Sequence, residues 1–265
     1  MKSLRKNTKI LKLTILAITL AAFAIFITSC ANQTPKTEEE LNKSLAGNSS
    51  QYDFSNIQKM ENSPVAGKNF FILGSSVAYG AASFQQAVGE YLCTRLDMNL
   101  TKEAVSGTTL VNNGEDSYVA RLQKPEYAKS KYDIFMCQLS TNDATKKLPL
   151  GVISSSTNLK DFDTNTITGA IEYIVCYAKQ TWNCPVYFFT GSYYESAEYS
   201  AMVTQLKEIS KKWNFTVLNL WDDKSFNNLS DEDRQLYMRD DIHPTKAGYK
   251  DWWGPELEKQ FLASF

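Results

Sequence analysis

Histidine is almost missing from this sequence: His243 is the only one in 265 residues. A metal centre of nitrogen and sulfur ligands needs several donors at short spacing, and one His among scattered carboxylates does not supply them. No metal and no other cofactor is therefore expected. A charge surplus is also missing, since 28 Lys and Arg stand against 29 Asp and Glu, with a pI near 6.0. Without a basic face there is no footprint for nucleic acid, and no nucleic-acid partner is expected. The sequence also lacks an internal repeat and any sign of a second folded domain.

The chain does contain the apolar run of residues 70–73 inside NFFILGSSVAYG, broken by Gly74, Ser75 and Ser76. It reads as a strand buried on both faces and ended by a tight turn. From Ser83 onward, Phe84, Ala87 or Val88, Tyr91 and Leu92 fall at helical spacing, which predicts a helix. A serine between a buried strand and a helix is well placed as a nucleophile, because ligands sit at the carboxyl ends of strands in open α/β sheets. A serine hydroxyl needs a base, and that base needs a carboxylate to fix its tautomer. The segment RDDIHPTKAGY offers both in Asp240 and His243, with Asp241 as a rival carboxylate. Two more fragments, VSGTT around Gly107 and QLSTND around Asn142, follow predicted strands and could donate hydrogen bonds to an oxyanion.

These four fragments, in this order, resemble the blocks of the SGNH or GDSL hydrolases from about residue 70 to the C-terminus. The blocks fall on Ser76 in GSSVAYG, Gly107 in VSGTT, Asn142 in STND, and Asp240 with His243 in DDIH. The resemblance implies an α/β/α sandwich around a five-stranded parallel sheet, and an ester-hydrolysing serine enzyme. It implies Ser76, His243 and Asp240 as the triad, with the oxyanion held by the backbone N–H groups of Ser76 and Gly107 and by the Asn142 amide. Ser75 stands where the family usually has Asp, which bears on the geometry of the turn. A non-catalytic binding lipoprotein on the same scaffold is the reading from a different class; a decayed enzyme would be expected to have lost at least one of the five residues, and all are present.

The first 29 residues read as a lipoprotein signal peptide. Five basic residues precede an apolar core over residues 13–27, and Ile27-Thr28-Ser29-Cys30 resembles a lipobox, which implies a diacylglyceryl group on Cys30 and anchoring to a bacterial cell membrane. An uncleaved N-terminal anchor is the other reading, and both place the domain outside the cytoplasm. Residues 30–66 are polar and read as the lipidated Cys and a flexible tether, with a short helix near residues 38–45 and packing of residues 52–60 left open. The hydrolase domain is expected over 67–265, its further strands at 98–105, 132–139, 186–190 and 215–220, and helices at 166–180, around 202–213 and from 245 onward. Cys176 and Cys184 are the only cysteine pair close enough in sequence to suggest a bridge.

The substrate is the least legible part. Residues 144–166 follow the Asn142 block and are rich in Ser, Thr, Asn, Asp and Lys, where a long acyl chain would want an apolar channel. Tyr193, Tyr194 and Trp221 follow strands and offer aromatic faces for a sugar. A short-acyl, acetyl-type esterase acting on carbohydrate is expected. The rival is a lysophospholipase or thioesterase, with Val152, Ile153 and Leu159 as a lipid-binding flap.

Overall fold

The computed structural model describes residues 36–264. The signal peptide and Cys30 lie outside these residues. Two units are distinguished: a short stretch ending at Leu41, and a compact unit from Asn42 onward. In the first, Thr37 and Glu40 cap the start of the helix Glu38–Ser44 through reciprocal bonds. Among the described residues no helix is long and apolar enough to cross a membrane.

Five strands form the sheet: β1 (Asn69–Gly74), β2 (Asn99–Ala104), β3 (Ile134–Gln138), β4 (Val186–Phe189) and β5 (Thr216–Leu218). Their order is β2-β1-β3-β4-β5, and every pairing is parallel. Side chains alternate between faces, so an apolar run serves two cores at once. Phe71, Leu73, Phe135 and Phe188 pack on the side of the helices Ile167–Trp182 and Ala197–Trp213. Phe70, Ile72, Met136 and Phe189 pack on the opposite side, with the helices Val88–Leu96 and Gly254–Ala263. This is the expected α/β/α sandwich.

Local chemistry sets the helix ends. Thr166 and Ser196 accept N–H bonds from Gly169 and Tyr199 at the starts of the two long helices, and Asn183 and Asn214 close them in the left-handed region.

Several boundaries differ from the sequence reading. The helix expected from Ser83 starts only at Val88, because Phe84 and Gln85 have φ of 53° and 65° and turn the chain out of the helical region. A four-residue helix, Ser76–Tyr79, comes first and ends at Gly80 with φ 81°. The closing helix is preceded by a π-helical stretch, Gly248–Trp253. Residues 42–66, expected as part of the tether, belong to the compact unit. They are fixed by polar side chains and backbone carbonyls, with Phe54 and Val65 buried. The bridge between Cys176 and Cys184 is absent. Both thiols are free, and Cys176 Sγ donates to the Thr157 carbonyl.

Candidate active site

Ser76 opens the short helix directly after β1, and side chains from the core hold the turn before it. Gln138, at the end of β3, accepts the N–H groups of Ser75 (3.0 Å) and Ala78 (2.9 Å) on its Oε1, and its Nε2 donates to Ser75 Oγ. Ser75 thus fills the position of the family's Asp with a hydroxyl that the sheet itself binds. Arg121, 1% exposed, donates to the Gly74 carbonyl at 2.8 Å and to Thr108 Oγ1 at 3.0 Å. Tyr249 OH donates to the Val77 carbonyl at 2.7 Å. All three residues are buried, so the turn has little freedom to relax.

His243 meets Ser76 from the other end of the chain. Its Nε2 lies 2.8 Å from Ser76 Oγ, and its Nδ1 lies 2.9 Å from both oxygens of Asp240. A carboxylate can only accept, so the proton sits on Nδ1 and Nε2 is left to accept from the serine hydroxyl. Asp240 also accepts the N–H groups of Ile242 (2.9 Å) and His243 (2.8 Å), and Arg239 Nε donates to its second oxygen at 3.1 Å. Burial alone would push the Asp240 carboxyl up, but His243 and these backbone donors outweigh it and hold the group well below the usual carboxylate range. Asp241, the rival carboxylate, is exposed, and the imidazole rests on Asp240.

Gly107 and Asn142 stand at the carboxyl ends of β2 and β3, the two strands that flank β1. They are tied to one loop. Asn142 Nδ2 donates to the Thr108 carbonyl at 2.9 Å, and Lys146 Nζ donates to the Gly107 carbonyl at 3.0 Å. The neighbouring Asp143 is buried and accepts from the N–H groups of Leu110 (2.9 Å) and Val111 (3.1 Å). Burial pushes its carboxyl upward, partly offset by Ser140 and those two N–H groups. Among the described residues no hydrogen bond joins Gly107 or Asn142 to Ser76. An amide carries two N–H bonds, and only one of those on Asn142 is taken by Thr108.

Triad geometry at the carboxyl end of a parallel sheet is what a serine acylhydrolase requires, and the model of the GDSL-like lipase/acylhydrolase family matches residues 72–250. The chain belongs to this family. It is an ester-hydrolysing serine enzyme. A protein from Lactobacillus plantarum has a similar fold, with a TM-score of 0.62 at 18% identity, covering 76% of this chain and 99% of its own. A candidate GDSL-like lipase from Bacteroides ovatus gives 0.55 at 18% identity, covering 75% and 98%. An acetyl xylan esterase gives 0.52 at 13% identity, covering 74% and 98%. Among curated proteins, none matches.

Two spaces adjoin the site of this acylhydrolase. A small cavity of about 10 Å³, room for roughly one water, is lined by Val77, Thr141, Ile242, Leu139, Ser192 and Tyr194, the first three being sequence neighbours of Ser76, Asn142 and His243. An open cleft of about 400 Å³ lies along Ser106, Gly107, Thr109, Asn113, Asp116 and Lys146. The expected aromatic faces are only partly available: Tyr193 is half exposed, Tyr194 lines the cavity and Trp221 is buried against both. The expected lipid flap is not assembled, since Ile153 packs on the core and only Val152, at 84%, is strongly exposed. Among the described residues no group of three His, Cys, Asp or Glu is placed to hold a metal ion.

Gln138, Arg121, Tyr249 and Asp143 carry the geometry without being singled out by the sequence. A single signal was available: Gln138 is a polar residue closing an otherwise apolar strand.

Proposed function

We propose that the protein is a membrane-anchored lipoprotein esterase that removes short acyl groups, chiefly acetyl, from carbohydrate. The observation that carries the reading is the open, largely polar cleft that runs along Gly107 and Lys146, beside which the cavity next to Val77, Thr141 and Ile242 is very small. Ligand pockets run from about 300 to 1,000 Å³, so the cleft suits a bulky polar alcohol, whereas the cavity has no room for a long acyl chain. An acetyl xylan esterase among the similar folds accords with this.

In this reading Ser76 Oγ attacks the acyl carbonyl while its proton passes to His243 Nε2. Asp240 holds the imidazole and stabilises its charge. The Ser76 and Gly107 N–H groups and the free N–H of Asn142 receive the oxyanion. Collapse expels the sugar alcohol, which takes the proton back from His243. Water, deprotonated by the same imidazole, then releases the acid and frees Ser76. The resemblance of residues 27–30 to a lipobox supports a place for this chemistry outside the cytoplasm, on the membrane surface.

A kcat/KM series on aryl esters from two to twelve carbons, run beside an acetylated polysaccharide and a lysophospholipid, tests the substrate. A steep fall beyond four carbons with acetate released from the polysaccharide is expected. A preference for long chains would replace it with a lipase reading. Labelling with radioactive palmitate, lost in Cys30→Ser, tests the anchor.

A further inference from the structure

Residues 42–56 lie outside the span that the family model matches, yet they hydrogen-bond to residues flanking both halves of the triad. Asn42 and Asn48 are 5% and 7% exposed, although neither belongs to a strand or a long helix. Asn42 Nδ2 donates to the Ala81 carbonyl at 2.8 Å, and the Ala81 N–H donates to the Ser76 carbonyl at 3.0 Å. Its Oδ1 accepts from Arg239 Nη1 at 3.4 Å, and Arg239 Nε donates to Asp240. Together with Asp240–His243 and His243–Ser76, these bonds close a ring that runs from the nucleophile through Asn42 to the base and back.

Asn48 makes a second crossing. Its Nδ2 donates to the carbonyls of Asn42 (2.9 Å) and Ala82 (2.8 Å), and its Oδ1 accepts from the Lys246 N–H at 2.9 Å. Ala82 belongs to the turn behind the Ser76 helix, and Lys246 follows His243 by three residues. Between the two asparagines Gly47 leaves no room for a side chain, since a Cβ there would stand 2.0 Å from the Leu236 carbonyl oxygen. Further along, Asp53 pairs with the buried Lys246 and accepts from Gln86 Nε2 at 3.2 Å, again joining the two loops. Three independent crossings between the same two loops are more than a chain needs simply to lie on a surface. Three of the groups they bind, the carbonyls of Ala81 and Ala82 and the Lys246 N–H, are backbone groups at buried or half-buried positions that need a partner.

We infer that Asn42 and Asn48 are positioning residues for the esterase reaction: the strap of residues 42–56 sets the separation of Ser76 from His243. The inference rests on the triad reading above. Displacements of about 1 Å in a catalytic pair cost on the order of 100-fold in rate, which gives a strap of this kind its leverage.

The test uses the full chain carrying Asn48→Ala or Asn42→Ala. For each, kcat and KM on a two-carbon aryl ester are measured with the second-order rate of Ser76 labelling by a fluorophosphonate. A thermal melt fixes a working temperature at which the variant is folded. Asn48→Ala is expected to lower kcat and the labelling rate together by about 10- to 100-fold with KM within about two-fold, and Asn42→Ala to lower both in the same proportion but less. A role confined to folding would lower the melting temperature and leave kcat and the labelling rate of the folded enzyme unchanged, and that result overturns the inference. Should Asn48→Ala fail to fold, Asn42→Ala decides by the same criterion. Wild-type protein that takes no label would instead sink the triad reading, so the two failures are distinguishable.

Discussion

At the serine end of the triad the restraints come from far along the chain: Arg121 reaches Gly74 across 47 residues, Gln138 reaches Ala78 across 60, and Tyr249 reaches Val77 across 172. At the histidine end the principal restraint is local, since Asp240 binds the backbone N–H groups of Ile242 and His243 as well as the imidazole itself. The first is a piece of core that carries a nucleophile. The second is a turn that organises its own imidazole and is tied to the loop behind Ser76 by the strap. Stability and catalysis should therefore separate differently at the two ends. Substitutions around Ser76 should unsettle the fold, whereas substitutions around His243 should mostly change chemistry.

The largest effects are expected where the ends meet. Ser76→Ala and His243→Ala should each lower kcat by about 10⁶, because the two act as a unit, and steady-state hydrolysis of a short ester would show it. If one were far milder than the other, the ends would not share one reaction. Next comes Asp240→Asn, expected to cost about 10⁴ in kcat by favouring the wrong tautomer. Asp241→Asn should stay near wild type, and an exchange of these two outcomes would move the triad carboxylate. Asn142→Ala should cost about 10² to 10³ in kcat, the usual loss for an oxyanion donor. At the serine end, Gln138→Leu leaves the buried N–H groups of Ser75 and Ala78 without their acceptor. A loss of about 2 to 6 kcal/mol in denaturant titration is expected, at about 1 to 3 kcal/mol for each group. The smallest effect concerns acid. Because Asp240 is held below its ordinary carboxylate range, its contribution to stability is complete above the unfolded value, about 4, and fades as pH falls through the folded one. The stability difference between wild type and Asp240→Asn should shrink only below about pH 4, and a difference that faded nearer neutrality would contradict the carboxylate's surroundings.

The contrast between the two ends also explains what the sequence revealed. The central strands are readable because parallel strands buried on both faces need apolar residues at every position, as residues 70–73 and 134–137 show, whereas the edge strand Asn99–Ala104 is mostly polar. The site was legible where its parts are close in sequence: Asp240 and His243 share one turn, and Ser76 adjoins a strand end. Gln138, Arg121 and Tyr249 were not, because a polar side chain that reaches across the fold leaves no periodic trace. The strap was misread for the same reason. Residues 42–56 are polar and lack an apolar period, which resembles a tether, yet their asparagines are buried by hydrogen bonding to backbone groups that only the folded chain brings near. The turn at Phe84 and Gln85 defeated the helix expected there, since helical spacing of apolar side chains does not report a positive φ.

The four buried thiols allow the protein to time its own opening. Burial pushes Cys184 up to about 11 and holds Cys93, Cys137 and Cys176 above their ordinary value, so these four present almost no thiolate to a reagent. A maleimide or disulfide probe then counts only the moments when a thiol comes into water. Cys137 lies in the central strand β3, Cys93 in a helix on one face of the sheet and Cys176 in a helix on the other. Their labelling rates act as three clocks on one molecule: equal rates would mean that the sandwich opens as a whole, and a fast Cys93 or Cys176 would show which layer peels away first.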